Sequence, residues 1–108
     1  MENDLLQNLL SFYEEDPADP FNIYALALEY TKSDAVKAAG FFNVLLEEHP
    51  DYLATYYHAG AFFTALEHFG KAEEIYIKGI ALALNQKNTK THQELVRAYR
   101  SFLDELDD

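Results

Sequence analysis

The chain has 108 residues, of which 49% are apolar and 25% charged, and its formal net charge is −11. This size and composition predict one folded domain with one core, and they argue against intrinsic disorder. The acidic excess excludes a basic nucleic-acid-binding face and disfavours an anionic membrane surface. No apolar stretch approaches the ~20 residues of a membrane span. The sequence contains no cysteine, which excludes disulfides and cysteine-ligated zinc, and we expect a cytoplasmic protein.

The acidic residues are concentrated in the N-terminal half. Residues 1–51 hold 11 acids and 2 bases, whereas residues 52–108 hold 8 acids and 6 bases. Such a field steers a basic partner segment toward the N-terminal half. The alternative is a solvated face that keeps the protein soluble.

Apolar residues recur with helical spacing along the chain, and no alternating Val-, Ile- or Thr-rich run indicates a strand. The spacing predicts six helices, over about residues 4–15, 20–32, 34–48, 52–66, 69–86 and from 91 onward. The third helix is predicted to carry the apolar stripe Val36, Ala39, Phe42, Leu45 and Leu46. The last is predicted to carry Leu95, Tyr99, Phe102, Leu103 and Leu106.

Several polar residues mark the starts of these helices. Asp19 and Pro20 are predicted as the N-cap and first residue of the second helix. Ser33 or Asp34 is predicted to cap the third. The run Thr91-His92-Gln93-Glu94 has the form of a capping box, which predicts that the last helix begins at Thr91.

The chain also repeats itself. Ala38 and Ala72 are 34 residues apart, as are Phe42 and Tyr76, and Pro17 and Pro50 are 33 apart. Two helix pairs therefore repeat with a period near 34 residues.

This pattern resembles the tetratricopeptide repeat, whose motif reads W-x2-L-G-x2-Y, then A-x3-F, then P. The second copy reads Tyr56-x2-Ala59-Gly60-x2-Phe63, then Ala72-x3-Tyr76. The first copy reads Ile23-x2-Leu26-Ala27-x2-Tyr30, then Ala38-x3-Phe42, then Pro50. The segment Leu5-x3-Leu9 with Pro17 is similar to the second half of a repeat.

The resemblance implies an all-α fold, an α-α superhelix or helix–turn–helix solenoid of about six antiparallel helices. It divides one domain over residues 1–108 into four parts. These are a half repeat (1–18), two repeats (19–51 and 52–86) and a C-terminal capping helix (87–108).

Two details of the repeats carry further predictions. The first repeat has 8 positions from Tyr30 to Ala38 where the second has 9 from Phe63 to Ala72, so we expect its turn to be tighter. Gly60 costs about 1 kcal/mol in a free helix, which predicts a packing role in the close approach of two helices.

The resemblance further implies a protein-binding scaffold whose first helices line a concave groove. The matching positions of the first repeat are Phe21, Tyr24, Ala25, Leu28, Thr31 and Lys32. Those of the second are Ala54, Tyr57, His58, Ala61, Thr64 and Ala65. From these positions we predict the site residues Phe21, Tyr24, Leu28, Thr31, Tyr57, His58, Ala61 and Thr64.

The expected ligand is a peptide or protein segment, neutral or basic and with apolar residues. Tyr24 and Tyr57 occupy one position of the carboxylate clamp found in some family members, and Leu28 and Ala61 another, so we do not expect chaperone-tail binding. Because Tyr56 and Tyr57 are adjacent, one is expected in the core and the other in the groove.

Catalytic and metal-binding patterns are not evident in the sequence. No two of the four histidines are paired at i, i+3 or i+4, and the paired acids Glu14-Glu15, Glu47-Glu48 and Glu73-Glu74 are sequence neighbours that point in different directions. We therefore expect no enzyme, cofactor or metal. The alternative to a binding module is a homo-oligomeric assembly protein, such as a homodimer, that buries the same aromatic surface.

Overall fold

A computed structural model describes residues 3–107 of the chain. Over that range it contains six α-helices and no strand, which confirms the all-α fold class. The helices are α1 (Asn3–Glu15), α2 (Pro20–Tyr30), α3 (Ala35–Glu48), α4 (Ala54–Ala65), α5 (Phe69–Asn85) and α6 (Thr89–Asp107).

The helices form two compact units, one ending at Tyr52 and the other beginning at Leu53. In the first unit, α2 packs along α3, and α1 packs against α2. In the second unit, α5 packs against both α4 and α6, and α4 also contacts α6. The division of one domain into a half repeat, two repeats and a capping helix stays a prediction.

Two predicted N-caps are confirmed. The Asp19 carboxylate accepts a hydrogen bond from the Phe21 amide at 2.9 Å, and Pro20 is the first helical residue. Of the two candidates for α3, Asp34 is the cap, because its carboxylate accepts from the Lys37 amide at 3.1 Å. Each carboxylate satisfies an amide that has no partner inside its helix.

The predicted start of the last helix is wrong. The helix α6 begins at Thr89, two residues before the proposed capping box. Asn88 supplies the cap, since its Oδ1 accepts a hydrogen bond from the Thr91 amide at 3.0 Å. Asn and Thr are both favourable N-cap residues. With Asn88 as the cap, the backbone amide of Thr91 in the first turn of the helix has a hydrogen-bond acceptor.

The prediction of a tighter turn in the first repeat is also wrong. Four residues, 31–34, connect α2 to α3, whereas three, 66–68, connect α4 to α5. The shorter spacing in the first repeat comes from a shorter first helix instead. The helix α2 ends at Tyr30, whereas α4 continues for two residues after Phe63.

The helix α4 ends in a turn with a left-handed residue. Glu67 has a φ of 63°, and the next amide, that of His68, donates to the Phe63 carbonyl at 2.9 Å. This closing pattern usually has glycine at the left-handed position. Between α2 and α3 no residue has a positive φ, and the Asp34 amide donates to the Tyr30 carbonyl at 2.8 Å.

The residues of the repeat motif form the buried core. In the first unit these are Ile23, Leu26, Ala27, Tyr30, Ala38 and Phe42. In the second unit they are Tyr56, Ala59, Gly60, Phe63, Ala72 and Tyr76. These motif residues are thus buried where the helices of each unit pack together.

Some residues of the predicted apolar stripes are not buried. Val36 is 83% exposed, because the face of α3 that carries Ala38, Phe42 and Leu45 is the buried one and Val36 lies off it. Leu103 and Leu106 near the end of α6 are 36% and 45% exposed. In that helix only Leu95 and Phe102 are fully buried.

The close packing of α4 on α5 depends on two glycines. A Cβ at Gly60 would lie 2.5 Å from the Tyr76 ring, which confirms the packing role predicted for this residue. A Cβ at Gly79 would lie 2.6 Å from the Cβ of Tyr56, a close approach that the sequence analysis missed. Gly40 differs from both, because a Cβ there would meet no atom within 4 Å.

Candidate functional site

The second unit contains an open cavity of about 420 Å³ lined by α4, α5 and α6. The lining residues are Tyr57, Ala61, Thr64 and Ala65 of α4, Tyr76 of α5, and Ala98, Ser101, Phe102 and Glu105 of α6. The α4 residues and the α6 residues each recur at spacings of three or four, which places each set on one helix face.

The cavity exists because small side chains lie between large ones. Ala61, Ala65 and Ala98 leave space at the level of the helix surfaces, and the rings of Tyr76 and Phe102 lie deeper, only 5% and 3% exposed. The centroids of these two rings are 5.7 Å apart. The cavity therefore combines small apolar walls with aromatic rings.

Hydroxyl groups give the cavity a polar component. Thr64 Oγ1 donates to the Gly60 carbonyl at 2.8 Å. Burial raises the pKa of the Tyr76 phenol above its usual value, the neighbouring Thr64 side chain opposes this rise, and Tyr57 and Glu105 add to it.

A second cavity of about 260 Å³ adjoins the first. Its lining consists of Tyr57, Glu94, Arg97, Ala98 and Ser101. Three of these residues, Tyr57, Ala98 and Ser101, also line the larger cavity, so the two are parts of one groove between α4 and α6. We call this surface the α4–α6 groove.

Three of the predicted site residues lie together in this groove. Tyr57, Ala61 and Thr64 all line the larger cavity. Tyr57 is 45% exposed whereas its neighbour Tyr56 is 3% exposed, as expected if one faces the groove and the other the core.

His58 is not part of the lining of either cavity. Its ring lies edge-on to that of Tyr57, with centroids 5.4 Å apart. Desolvation lowers the pKa of His58 below its usual value, so its neutral form is favoured.

The predicted site residues of α2 belong to the first unit. Phe21 is 58% exposed. The half-buried Tyr24 ring lies edge-on to that of Tyr52, with centroids 5.8 Å apart, and burial followed by the charge of Tyr52 raises the pKa of Tyr24. The Thr31 hydroxyl donates to the Leu28 carbonyl at 2.6 Å. The residue Leu28 is half-buried. That all eight residues contact a ligand stays a prediction.

The contribution of α6 to the groove was missed. The sequence predicts a capping helix here, yet α6 supplies Ala98, Ser101 and Glu105 to the lining. Their spacing of three and four residues indicates a shared face, but only the packing of α6 beside α4 shows that this face borders a cavity.

Comparison with known proteins gives the family. No protein-family model matches the chain, and no curated protein matches it. A solution NMR structure of a tetratricopeptide repeat domain protein from Salinibacter ruber is 40% identical in sequence with a TM-score of 0.75, over 81% of this chain and 89% of that one. The chain belongs to the tetratricopeptide repeat family.

A crystal structure of a tetratricopeptide repeat domain protein from the same organism agrees. It is 38% identical with a TM-score of 0.73, over 78% of this chain and 96% of that one. Membership of the tetratricopeptide repeat family suggests a protein-interaction module in general terms, and the α4–α6 groove is a surface on such a module.

Among residues 3–107, no helix is both long enough and apolar enough to cross a membrane. Over the same part of this tetratricopeptide repeat chain, no group of three or more His, Asp or Glu side chains is placed to hold a metal ion.

Proposed function

We propose that this protein is a non-enzymatic interaction module that binds a peptide or protein segment in the α4–α6 groove. Tyr57 is the central contact, with Ala61 and Thr64 beside it. His58 and, on the first unit, Phe21, Tyr24, Leu28 and Thr31 are further proposed contact residues.

The exposure of Tyr57 is the observation that supports this proposal most directly. Its side chain is 45% exposed at the point shared by both cavities, next to the small residues Ala61 and Ala98. Tyrosine offers a large apolar area with a polar tip, and it is enriched among the residues that dominate binding energy in protein interfaces.

The proposed partner is neutral or basic and contains apolar residues. A net charge of −11 repels an acidic segment, and the aromatic and alanine side chains of the cavity need apolar groups to replace the water they contact. A short groove buries little area, so we expect affinities in the micromolar class. We also propose that the protein acts in the cytoplasm.

The test begins with selection of peptides from a displayed random library on the immobilised wild-type protein. The selected peptides are then titrated calorimetrically against wild type, Tyr57→Ala and Ile77→Ala. Ile77 is a matched control, because it is 49% exposed on α5 and does not line either cavity.

We expect Tyr57→Ala to weaken binding by about tenfold or more, as for a central interface aromatic residue, and Ile77→Ala to leave it unchanged. Equal losses in both variants, or selected peptides that bind Tyr57→Ala as well as wild type, would reject the α4–α6 groove as the binding site.

A second candidate function is self-assembly through α6. Leu103 and Leu106 are 36% and 45% exposed near its end, and exposed apolar side chains of this kind can pack against a second copy of the chain. Light scattering at high protein concentration tests this function: a mass above 12.4 kDa that falls in Leu103→Lys/Leu106→Lys supports it, and a wild-type monomer excludes it.

A further inference from the structure

We propose that the larger cavity of the α4–α6 groove receives an arginine side chain of the bound segment, with the Glu105 carboxylate as its counter-charge. This inference rests on the proposed function and specifies the chemistry that the groove recognises. Three features of the lining support it: the carboxylate of Glu105, the residues with hydroxyl groups and the alanine side chains.

The charge of the cavity is negative. Glu105 is the single ionised group in its lining, and no Lys, Arg or His is among the lining residues. Within residues 3–107, Glu105 forms no ion pair. A cation entering the cavity would therefore find a carboxylate that has no competing partner.

The charged residues of the adjoining cavity do not change the negative charge of the larger one. Glu94 and Arg97 line it, one of each charge. Neither of them lines the larger cavity, and α4 and α5 contribute no ionised group to that lining. An acidic side chain would meet Glu105 without a compensating cation, and like charges brought together in this way oppose binding.

The acceptors favour guanidinium over ammonium. Besides Glu105 with its carboxylate, the lining includes four residues that carry hydroxyl groups, Tyr57, Thr64, Tyr76 and Ser101. A guanidinium carries five N–H donors in one plane and can bond to a carboxylate and to hydroxyls at the same time, whereas a lysine has three donors on one atom. The exposed Tyr57 ring also offers a face on which a planar cation can stack.

The walls match the rest of an arginine side chain. Ala61, Ala65 and Ala98 are methyl-bearing surfaces, and they are where the three methylene groups of arginine would pass. A volume of about 420 Å³ accommodates the whole side chain together with water. A citrulline would fill nearly the same space but would leave the Glu105 charge unpaired.

The direct test uses Nα-acetyl-arginine amide as probe, titrated into the ¹⁵N-labelled protein and followed by amide chemical shifts. We expect saturable shifts at Ala61, Ser101 and Glu105 with a dissociation constant of about 1 mM, since one side chain supplies little binding energy. Nα-acetyl-citrulline amide, which is neutral and has nearly the same shape, is expected to bind at least fivefold more weakly.

The variants are Glu105→Gln and the control Asp104→Asn. Asp104 precedes Glu105 on α6, is exposed and does not line the cavity, so its removal changes the net charge equally. Glu105→Gln is expected to weaken the arginine probe at least fivefold and to abolish its advantage over citrulline. Asp104→Asn is expected to leave both unchanged. Equal binding of the two probes to wild type, or equal effects of the two variants, would overturn the proposal.

The peptides that are selected on the wild-type protein, and then titrated against Tyr57→Ala, separate this inference from the proposed function. Replacing arginine by citrulline in such a peptide should weaken binding to wild type but not to Glu105→Gln. If the replacement has no effect on a peptide that depends on Tyr57, the arginine assignment fails and the binding groove stands. If no selected peptide depends on Tyr57, the proposed function itself fails.

Discussion

The helix pairs α2–α3 and α4–α5 use the same motif positions with different side-chain sizes. Offsets of 33 and 34 residues relate Ile23 and Ala27 of α2 to Tyr56 and Gly60 of α4. The same offsets relate Phe42 and Leu45 of α3 to Tyr76 and Gly79 of α5. In the second pair a glycine faces each of the two tyrosines, whereas none of the corresponding positions of the first pair is a glycine or a tyrosine.

This difference shows that the motif specifies which positions are buried but not how volume is divided between them. Tyr56 approaches the backbone of α5 at Gly79, and Tyr76 approaches the backbone of α4 at Gly60. Protein interiors are close-packed, so a large side chain on one helix requires a small one opposite. The second pair should therefore tolerate added atoms at its glycines far less well than an open position would.

The largest effect is expected for Gly79→Ala. The new Cβ would lie 2.6 Å from the Tyr56 Cβ, an atom that moves only with its backbone, and 3.2 Å from Leu95. Overpacking of this kind costs about 3 kcal/mol in the free energy of unfolding, more than the helix propensity returned by alanine. Urea denaturation followed by circular dichroism measures this loss, and unchanged or increased stability would contradict the packing described for α4 on α5.

Gly60→Ala is expected to cost less, about 2 kcal/mol. Its Cβ would meet the Tyr76 ring at 2.5 Å, but a ring can rotate away where a Cβ cannot. In a double-mutant cycle, Tyr76→Leu should reduce the penalty of Gly60→Ala, because the smaller side chain vacates the space. Strictly additive free energies would show that the two residues do not meet.

Gly40→Ala should have the opposite sign. The position is in the middle of α3 and its Cβ would meet nothing within 4 Å, so only the helix propensity changes. We expect a gain of about 1 kcal/mol in the free energy of unfolding. The same denaturation measurement serves as the control for the two preceding variants, and a loss here would mean that packing does not explain the series.

The smallest expected effect concerns the turns. Glu67 has a φ of 63°, so Glu67→Gly should raise the free energy of unfolding by about 0.5 to 1 kcal/mol through relief of the left-handed conformation. The matched variant Ser33→Gly lies in the turn between α2 and α3, where no φ is positive, and should give no gain. Thermal unfolding of the two variants compares them, and similar gains in both would contradict the difference between the turns.

The fold could be predicted largely from local information. Helical spacing and the caps Asp19 and Asp34 depend on residues within a few turns of one another. The recurrence of Ala38 and Phe42 at Ala72 and Tyr76 is a fixed offset that can also be read directly along the chain. Errors arose where two local signals competed. Asn88 and Thr91 are both suitable caps, and the choice between them sets the start of α6.

The candidate site could be predicted only in part, because spacing along one helix does not specify which other helix packs beside it. The family pattern places Tyr57, Ala61 and Thr64 on one face of α4, because side chains four and three residues apart share a helix face. It says nothing about which helix lies opposite. Glu105 and Ser101 become site residues only through the packing of α6 beside α4.

The sequence by itself thus determined the six helices, the repeat period and most of the core, since these follow from spacing along the chain. The tertiary structure decided how space is shared between helices: which glycines admit a tyrosine, why Val36 is exposed, and where a cavity remains open beside Tyr57. Packing depends on the volumes of residues that are distant in sequence, and a one-dimensional pattern does not specify which of them meet.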